Sequence, residues 1–281
     1  TIEEEYDLDG RLSSQQFGFR RRSGTADAQF NLRALHELCA KKGHPLLVVL
    51  LDIKKAFDSV PFDVIASSLD RLNIPPKMIR FLRSWVDGQT RKIIADGNDG
   101  EDAWLKVLRG VPQGSALSPL LFAAVMDTLD GYMKGESVLG CSQLELEDLP
   151  QRLEIGKWLT QMYADDTVLF GHSIGSINRS LDHIKNWAKY AGLTCHPAKF
   201  KLLRLGALTL RYSNGTIASR DALAAPREYT AEDAGNRGRV YRCVDIKKID
   251  GGIVFDDSVI PLSESARYLG IDILGWKSSR L

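Results

Sequence analysis

Thr160-Gln161-Met162-Tyr163-Ala164-Asp165-Asp166-Thr167-Val168-Leu169-Phe170-Gly171 places two adjacent carboxylates between two apolar runs. With the approach from Lys157, the stretch reads as a β-hairpin whose bend carries the acidic pair. Neighbouring anions repel each other, so such a bend calls for a positive partner and invites a third acid. Upstream, Leu46-Leu47-Val48-Val49-Leu50-Leu51 is an unbroken apolar run of strand length that ends on Asp52. A run apolar on both faces suits a buried central strand. A carboxylate at its end lies where the sheet meets solvent, so three acids can converge there on divalent metal. Oxygen-only acidic sites with room for water and phosphate favour Mg²⁺.

An Asp-Asp pair alone reads most simply as a solvated turn. The order of the other segments changes that reading. Leu51-Asp52-Ile53-Lys54-Lys55-Ala56-Phe57-Asp58-Ser59-Val60 precedes the hairpin, followed by Arg109-Gly110-Val111-Pro112-Gln113-Gly114-Ser115 and the apolar Ala116–Phe122. Earlier stand Gln16-Phe17-Gly18-Phe19-Arg20 and Gly24-Thr25, and later Tyr268-Leu269-Gly270. In this order the segments resemble the reverse transcriptases, most closely those of non-LTR, LINE-like retrotransposons, from about Gln16 to Ile273. The first matches that family's fingers motif and the last its primer grip.

The resemblance implies a right-hand polymerase palm with partial fingers, α+β in class. It implies an RNA-directed DNA polymerase taking an RNA template, a DNA primer and deoxynucleoside triphosphates. It also implies two Mg²⁺ ions about 3.5–4 Å apart, with Mn²⁺ as a substitute, clamping the attacking and leaving oxygens. Asp52 and Asp165 would bridge the metals, with Asp166 in support and the Ile53 carbonyl as a further ligand. Phe57 matches the sugar gate, a ring that clashes with a ribose 2′-hydroxyl. Gln113 would contact nucleotide or template, and Gly114 would let the backbone approach closely. Lys199, in His196-Pro197-Ala198-Lys199, matches the lysine that protonates leaving pyrophosphate; Lys201 competes for that role. Arg20, Arg21, Arg22, Arg109, Tyr163, Tyr268, Leu269 and Gly270 would contact nucleic acid. Asp58 reads as a turn or helix cap before Pro61.

Composition is compatible with this reading. The chain has 281 residues, 44% of them hydrophobic, enough for one large domain or two lobes. Its formal charge is +1, from 37 basic and 36 acidic residues, so local charge distribution matters more than the sum for a nucleic-acid partner. Cys39, Cys141, Cys195 and Cys243 are scattered without a Cys-x-x-Cys pair, which argues for reduced thiols in an intracellular protein rather than a disulfide scaffold or zinc site. No stretch approaches membrane-spanning length, so no membrane partner is expected. A LINE-like protein would work in nucleus and cytoplasm.

Along the chain, helices are expected over 26–42, where Phe30, Leu35 and Leu38 mark the apolar spacing, and over 61–72, 75–85, 115–133 and 174–191. Gly192 closes the last of these. A strand pair is expected around 90–95 and 104–108, with further strands at 252–255 and 266–270. The division is 1–45 partial fingers, 46–210 palm, 211–248 polar insertion and 249–281 the end of the palm. The layout is an antiparallel-rich sheet with helices on one face; residues 134–157 read as a loop or partial helix. Thr1 at the start suggests an excised piece lacking the leading fingers strands, an endonuclease domain and a Cys/His-rich tail. Little primer extension is therefore expected of the isolated chain. Two other readings stay open: a group II intron-type reverse transcriptase or maturase, and a decayed or domesticated palm that only binds RNA.

Overall fold

The structure, a computed structural model, describes residues 8–42, 46–88, 90–93, 103–107, 109–112, 114–136, 138–139, 160–171, 174–205, 209–211, 217–219, 253–255, 258–260, 262–263 and 265–274. Helix α1 is Leu8–Arg11, α2 Thr25–Lys42, α3 Ala56–Ser59, α4 Phe62–Arg71, α5 Pro76–Asp87, α6 Ser118–Met133 and α7 Ile174–Tyr190. The strands are β1 Leu46–Leu51, β2 Thr90–Ile93, β3 Ala103–Lys106, β4 Thr160–Tyr163, β5 Asp166–Gly171, β6 Lys201–Leu205, β7 Thr209–Arg211, β8 Ile217–Ser219, β9 Ile253–Phe255, β10 Ser258–Ile260, β11 Ser265–Tyr268 and β12 Ile271–Leu274.

Four strands form the central sheet in the order β4-β5-β1-β6, and every neighbouring pair is antiparallel. β1 is interior because both of its faces are apolar. Leu47, Val49 and Leu51 point into one core with Leu169 and Leu202. Leu46 and Val48 point into a second with Val168, Phe170, Leu203 and Leu205. Each fully buried Leu or Val contributes roughly 1.5–3 kcal/mol, and β1 buries such residues on both of its faces.

The first core is closed by α4, α6 and α7. α6 is apolar nearly all round and buried along almost its whole length, as a helix in a domain interior should be. Trp187 on α7 donates its indole N–H to Thr128 on α6 at 2.9 Å. The second core corrects the expectation of helices on one face only. α2 and the β11–β12 hairpin cover the opposite side through Leu32, Leu35, Cys39, Ala266 and Tyr268. On α2 the core stripe is Ala28, Leu32, Leu35 and Cys39, while Phe30 is 70% exposed and Leu38 40%.

Local chemistry sets the element ends. Pro76 occupies the first turn of α5, where its missing N–H costs nothing. Gly192 stands at φ +66, where a Cβ would also meet Pro61 at 2.6 Å, and Leu193 N–H donates back to the Ala188 carbonyl, a Schellman closure. α6 begins at Ser118 rather than Ser115. Residues 115–117 instead form a turn in which Ser118 N–H donates to the Ser115 carbonyl and Leu117 N–H to the Ser115 hydroxyl. β2 and β3 pair antiparallel as expected. Within the expected insertion, β8 pairs with β7; residues 220–248 of it, and 140–157 of the acidic stretch, lie outside the described residues. Among the described residues no helix is long and apolar enough to cross a membrane.

Candidate active site

β1 and β5 pair with Leu51 opposite Thr167, and β4 and β5 pair with Tyr163 opposite Asp166. That register sets Asp52, one residue past β1, at the same sheet end as the Asp165–Asp166 bend. Ala164 turns the bend at φ +58, a left-handed conformation uncommon outside glycine. On its other side β1 continues into a short contact with the segment before β6. Ile53 bridges Cys195, Lys54 N–H donates to the Thr194 carbonyl and His196 N–H to the Asp52 carbonyl, both at 2.8 Å. In that antiparallel pattern the bonded groups flank Ile53, so its own carbonyl faces away from Cys195, toward the β5 side.

The electrostatics follow from this placement. Burial pushes the Asp165 carboxyl above its ordinary value, and the Asp52 charge adds to the shift. Burial raises Asp166 as well, with the charges of Asp165 and then Asp52 behind it. Burial and the neighbouring carboxylates therefore oppose ionisation of Asp165 and Asp166. Lys199, on the 3₁₀ turn Pro197–Lys199, brings its ammonium to 3.3 Å from Asp52 Oδ2. That oxygen is buried and receives no hydrogen bond. An acceptor set of this kind, all carboxylate with the buried Asp52 oxygen met only by the Lys199 ammonium, fits a hard divalent cation such as Mg²⁺. Among the described residues no three acidic, His or Cys side chains already stand in ligating positions.

A cleft of about 540 Å³ opens beside the acids, lined by Asp52, Asp166, Lys199, Lys201, Arg267 and Tyr268 among others. Phe57 on α3 is half-buried, its ring stacked on Phe122 with centroids 4.5 Å apart. The turn before α6 is lashed to α3: Gly110 N–H donates to the Val60 carbonyl and Val111 N–H to the Phe57 carbonyl, each at 2.8 Å. Gly110, at φ +84, allows no Cβ, which would lie 2.6 Å from Asp58. Arg109 is exposed beside it. Gly114 stands at φ +85, and nothing lies within 4 Å of an added Cβ. Gln113 lies outside the described residues.

The other residues expected to contact nucleic acid differ in exposure. Tyr268 is 2% exposed and its hydroxyl accepts a hydrogen bond from Gln161 Nε2 at 2.8 Å, so its ring belongs to the core. Alternation along β11 explains this, with Ala266 and Tyr268 inward and Ser265 and Arg267 outward. In the turn at Leu269 (φ +47) and Gly270 (φ +89), Gly270 is exposed and Leu269 packs partly buried against the second core, anchored by Gln29 Nε2 donating to the Leu269 carbonyl. Arg20 is half-buried and donates to the Ser13 and Gln16 carbonyls, which employs it in its own loop. Arg21 and Arg22 are exposed, and Tyr163 is half-buried behind the bend. Gln16 carries no expected role from sequence, yet its side chain reaches the bend itself; its place in the fingers motif was the only signal.

The family described as reverse transcriptase (RNA-dependent DNA polymerase) matches residues 4–273. The Pol polyprotein of the type-1 retrotransposable element R2 of Nasonia vitripennis is 29% identical over 205 residues, 70% of this chain and 18% of that protein. The RNA-directed DNA polymerase from mobile element jockey of Drosophila melanogaster is 25% identical over 194 residues, 65% of this chain and 19% of that protein. The chain thus spans less than a fifth of the length of these curated relatives. Apo telomerase from Candida tropicalis, truncated from its C-terminal domain, shares the fold at TM-score 0.55 and 14% identity, covering 78% of this chain and 45% of that one. With the match running through both the acidic bend and the strand-end aspartate, the chain belongs to the reverse transcriptase (RNA-dependent DNA polymerase) family.

Proposed function

We propose that this chain is the polymerase segment of a LINE-like retroelement protein, extending a DNA primer with deoxynucleotides on an RNA template. The observation that carries this is the β1–β5 register, which sets Asp52 and the Asp165–Asp166 bend at one sheet end beside an open cleft. Mg²⁺, or Mn²⁺ in its place, would be held by Asp52, Asp165, Asp166 and the Ile53 carbonyl and would neutralise charge on the reacting phosphoryl group. Lys199, whose ammonium stands 3.3 Å from Asp52 Oδ2, would donate a proton to the departing pyrophosphate. Arg21, Arg22 and Arg109 are exposed cations suited to backbone phosphates. Three intact acids support a working polymerase over a palm that only binds RNA.

The testing experiment is RNA-templated primer extension by the protein carrying this chain. Deoxynucleotide incorporation that requires both template and divalent cation is expected; template-independent or cation-independent incorporation would contradict the reading. The same assay examines Phe57. Its ring is fixed against Phe122, so Phe57→Ala should raise ribonucleotide use relative to deoxyribonucleotide about tenfold or more, the effect of losing roughly 1.4 kcal/mol of steric exclusion. An unchanged ratio would leave Phe57 as core packing alone.

A further inference from the structure

The segment Ser13–Gly18 runs along the outer edge of β4, the edge strand of the sheet. Gln16 bridges Met162, Phe17 N–H donates to the Met162 carbonyl, and Met162 N–H donates to the Gln15 carbonyl, both bonds at 2.8 Å. The Gln16 side chain is fully buried. Its Oε1 accepts from Gly18 N–H at 2.9 Å and from Ala164 N–H at 3.2 Å. Ala164 is the left-handed residue between Tyr163 and Asp165, and a strained backbone of this kind persists only when its surroundings hold it. Gly18 completes the contact, because a Cβ there would fall 2.4 Å from Ala164 N.

The root of the segment is equally fixed. Ser13 donates its N–H to Asp127 and its hydroxyl to Asp130 on the buried helix α6, each at 2.5 Å. Arg20 closes the loop from the other end by donating to the Ser13 and Gln16 carbonyls. Gln16 is therefore a buried side chain whose Oε1 is held by two backbone N–H groups, one of them in the acidic bend, while its Nε2 has no partner.

We propose that Gln16 is a positioning residue for the acidic bend: its amide oxygen fixes Ala164 and so directs Asp165 and Asp166. It acts through the backbone and touches neither nucleotide nor template. The claim about direction rests on the reading of these acids as a cation site; the claim about Ala164 does not.

Three variants separate the cases. Gln16→Met keeps the length without the oxygen, Gln16→Asn keeps the amide but falls short, and Gln16→Glu keeps an acceptor at the same reach. Amide hydrogen exchange at Ala164 and Gly18 should quicken about tenfold in Gln16→Met and Gln16→Asn and stay slow in Gln16→Glu. Wild-type exchange at Ala164 in Gln16→Met would overturn the proposal, as would a rise spread equally over Leu202 and Leu203 of β6, which would mean general loosening. Mn²⁺ binding, followed by water proton relaxation, should weaken about tenfold in Gln16→Met and not in Gln16→Glu. Unchanged Mn²⁺ affinity beside faster Ala164 exchange would overturn the claim that the bend directs the acids. Absence of Mn²⁺ binding in the wild type would sink the cation-site reading instead, with the exchange data still deciding the hold on Ala164.

Discussion

Asp165→Asn is expected to lower RNA-templated primer extension by about a thousandfold, the loss expected from removing roughly 4 kcal/mol of charge stabilisation at the reacting phosphoryl group. Asparagine keeps the shape and removes the charge, so packing is preserved. Stability should move the other way. Asp165 titrates above its ordinary value because burial and the neighbouring Asp52 disfavour its ionised form. A carboxyl raised in the folded state binds its proton more tightly there than in the unfolded chain. Its ionisation therefore costs stability as pH climbs from the unfolded value through the raised one. At neutral pH and without added cation, the variant should melt no lower than the wild type. Extension lost together with a large fall in melting temperature would show a folding defect rather than a catalytic one.

Arg71→Met should destabilise the fold by about 3 kcal/mol, at the lower end for breaking a buried ion pair by removing one partner. Arg71 on α4 reaches Asp127 on α6 at 2.5 Å and Glu136 at 2.5 Å. The Asp127 side chain is 2% exposed and that of Arg71 28%. Burial pushes Asp127 up, with the Arg71 guanidinium and the Ser13 N–H opposing that push, so loss of the arginine leaves a carboxylate with one donor in the core. Urea unfolding measures the change. A shift under about 0.5 kcal/mol would place the pair among weak surface bridges. The consequence reaches beyond α4 and α6, since Asp127 also anchors Ser13 and the segment that lies against the acidic bend.

Much of the frame could be read from residues alone because it is written in strong local signals. The doubly apolar run before Asp52, the hairpin around Tyr163–Asp166 and the glycine closing α7 each have few alternatives. Two-sided apolar character in β1 already called for cover on both faces. What hid the second layer was α2, where exposed Phe30 and Leu38 blur the true stripe at Ala28, Leu32, Leu35 and Cys39. The three acids were legible because strand-end carboxylates carry their chemistry in their type. The burial of Tyr268 could be read from the alternation Ser265-Ala266-Arg267-Tyr268, whereas a motif match says nothing about which way a strand residue faces. Gln16 was invisible for a different reason. A neutral amide announces no reaction, and its partner lies 148 positions away in the chain.

Asp52 and the Asp165–Asp166 bend are proposed to hold divalent cation together at one end of the β1–β5 pair. Crystals of the protein soaked in Mn²⁺ with a non-hydrolysable deoxynucleotide test it by anomalous diffraction. Two peaks about 3.5–4 Å apart, touched by the carboxylates of Asp52 and Asp165, are the predicted result. Ordered Mn²⁺ elsewhere on the chain, with these carboxylates bare and the nucleotide bound away from the cleft, would contradict it.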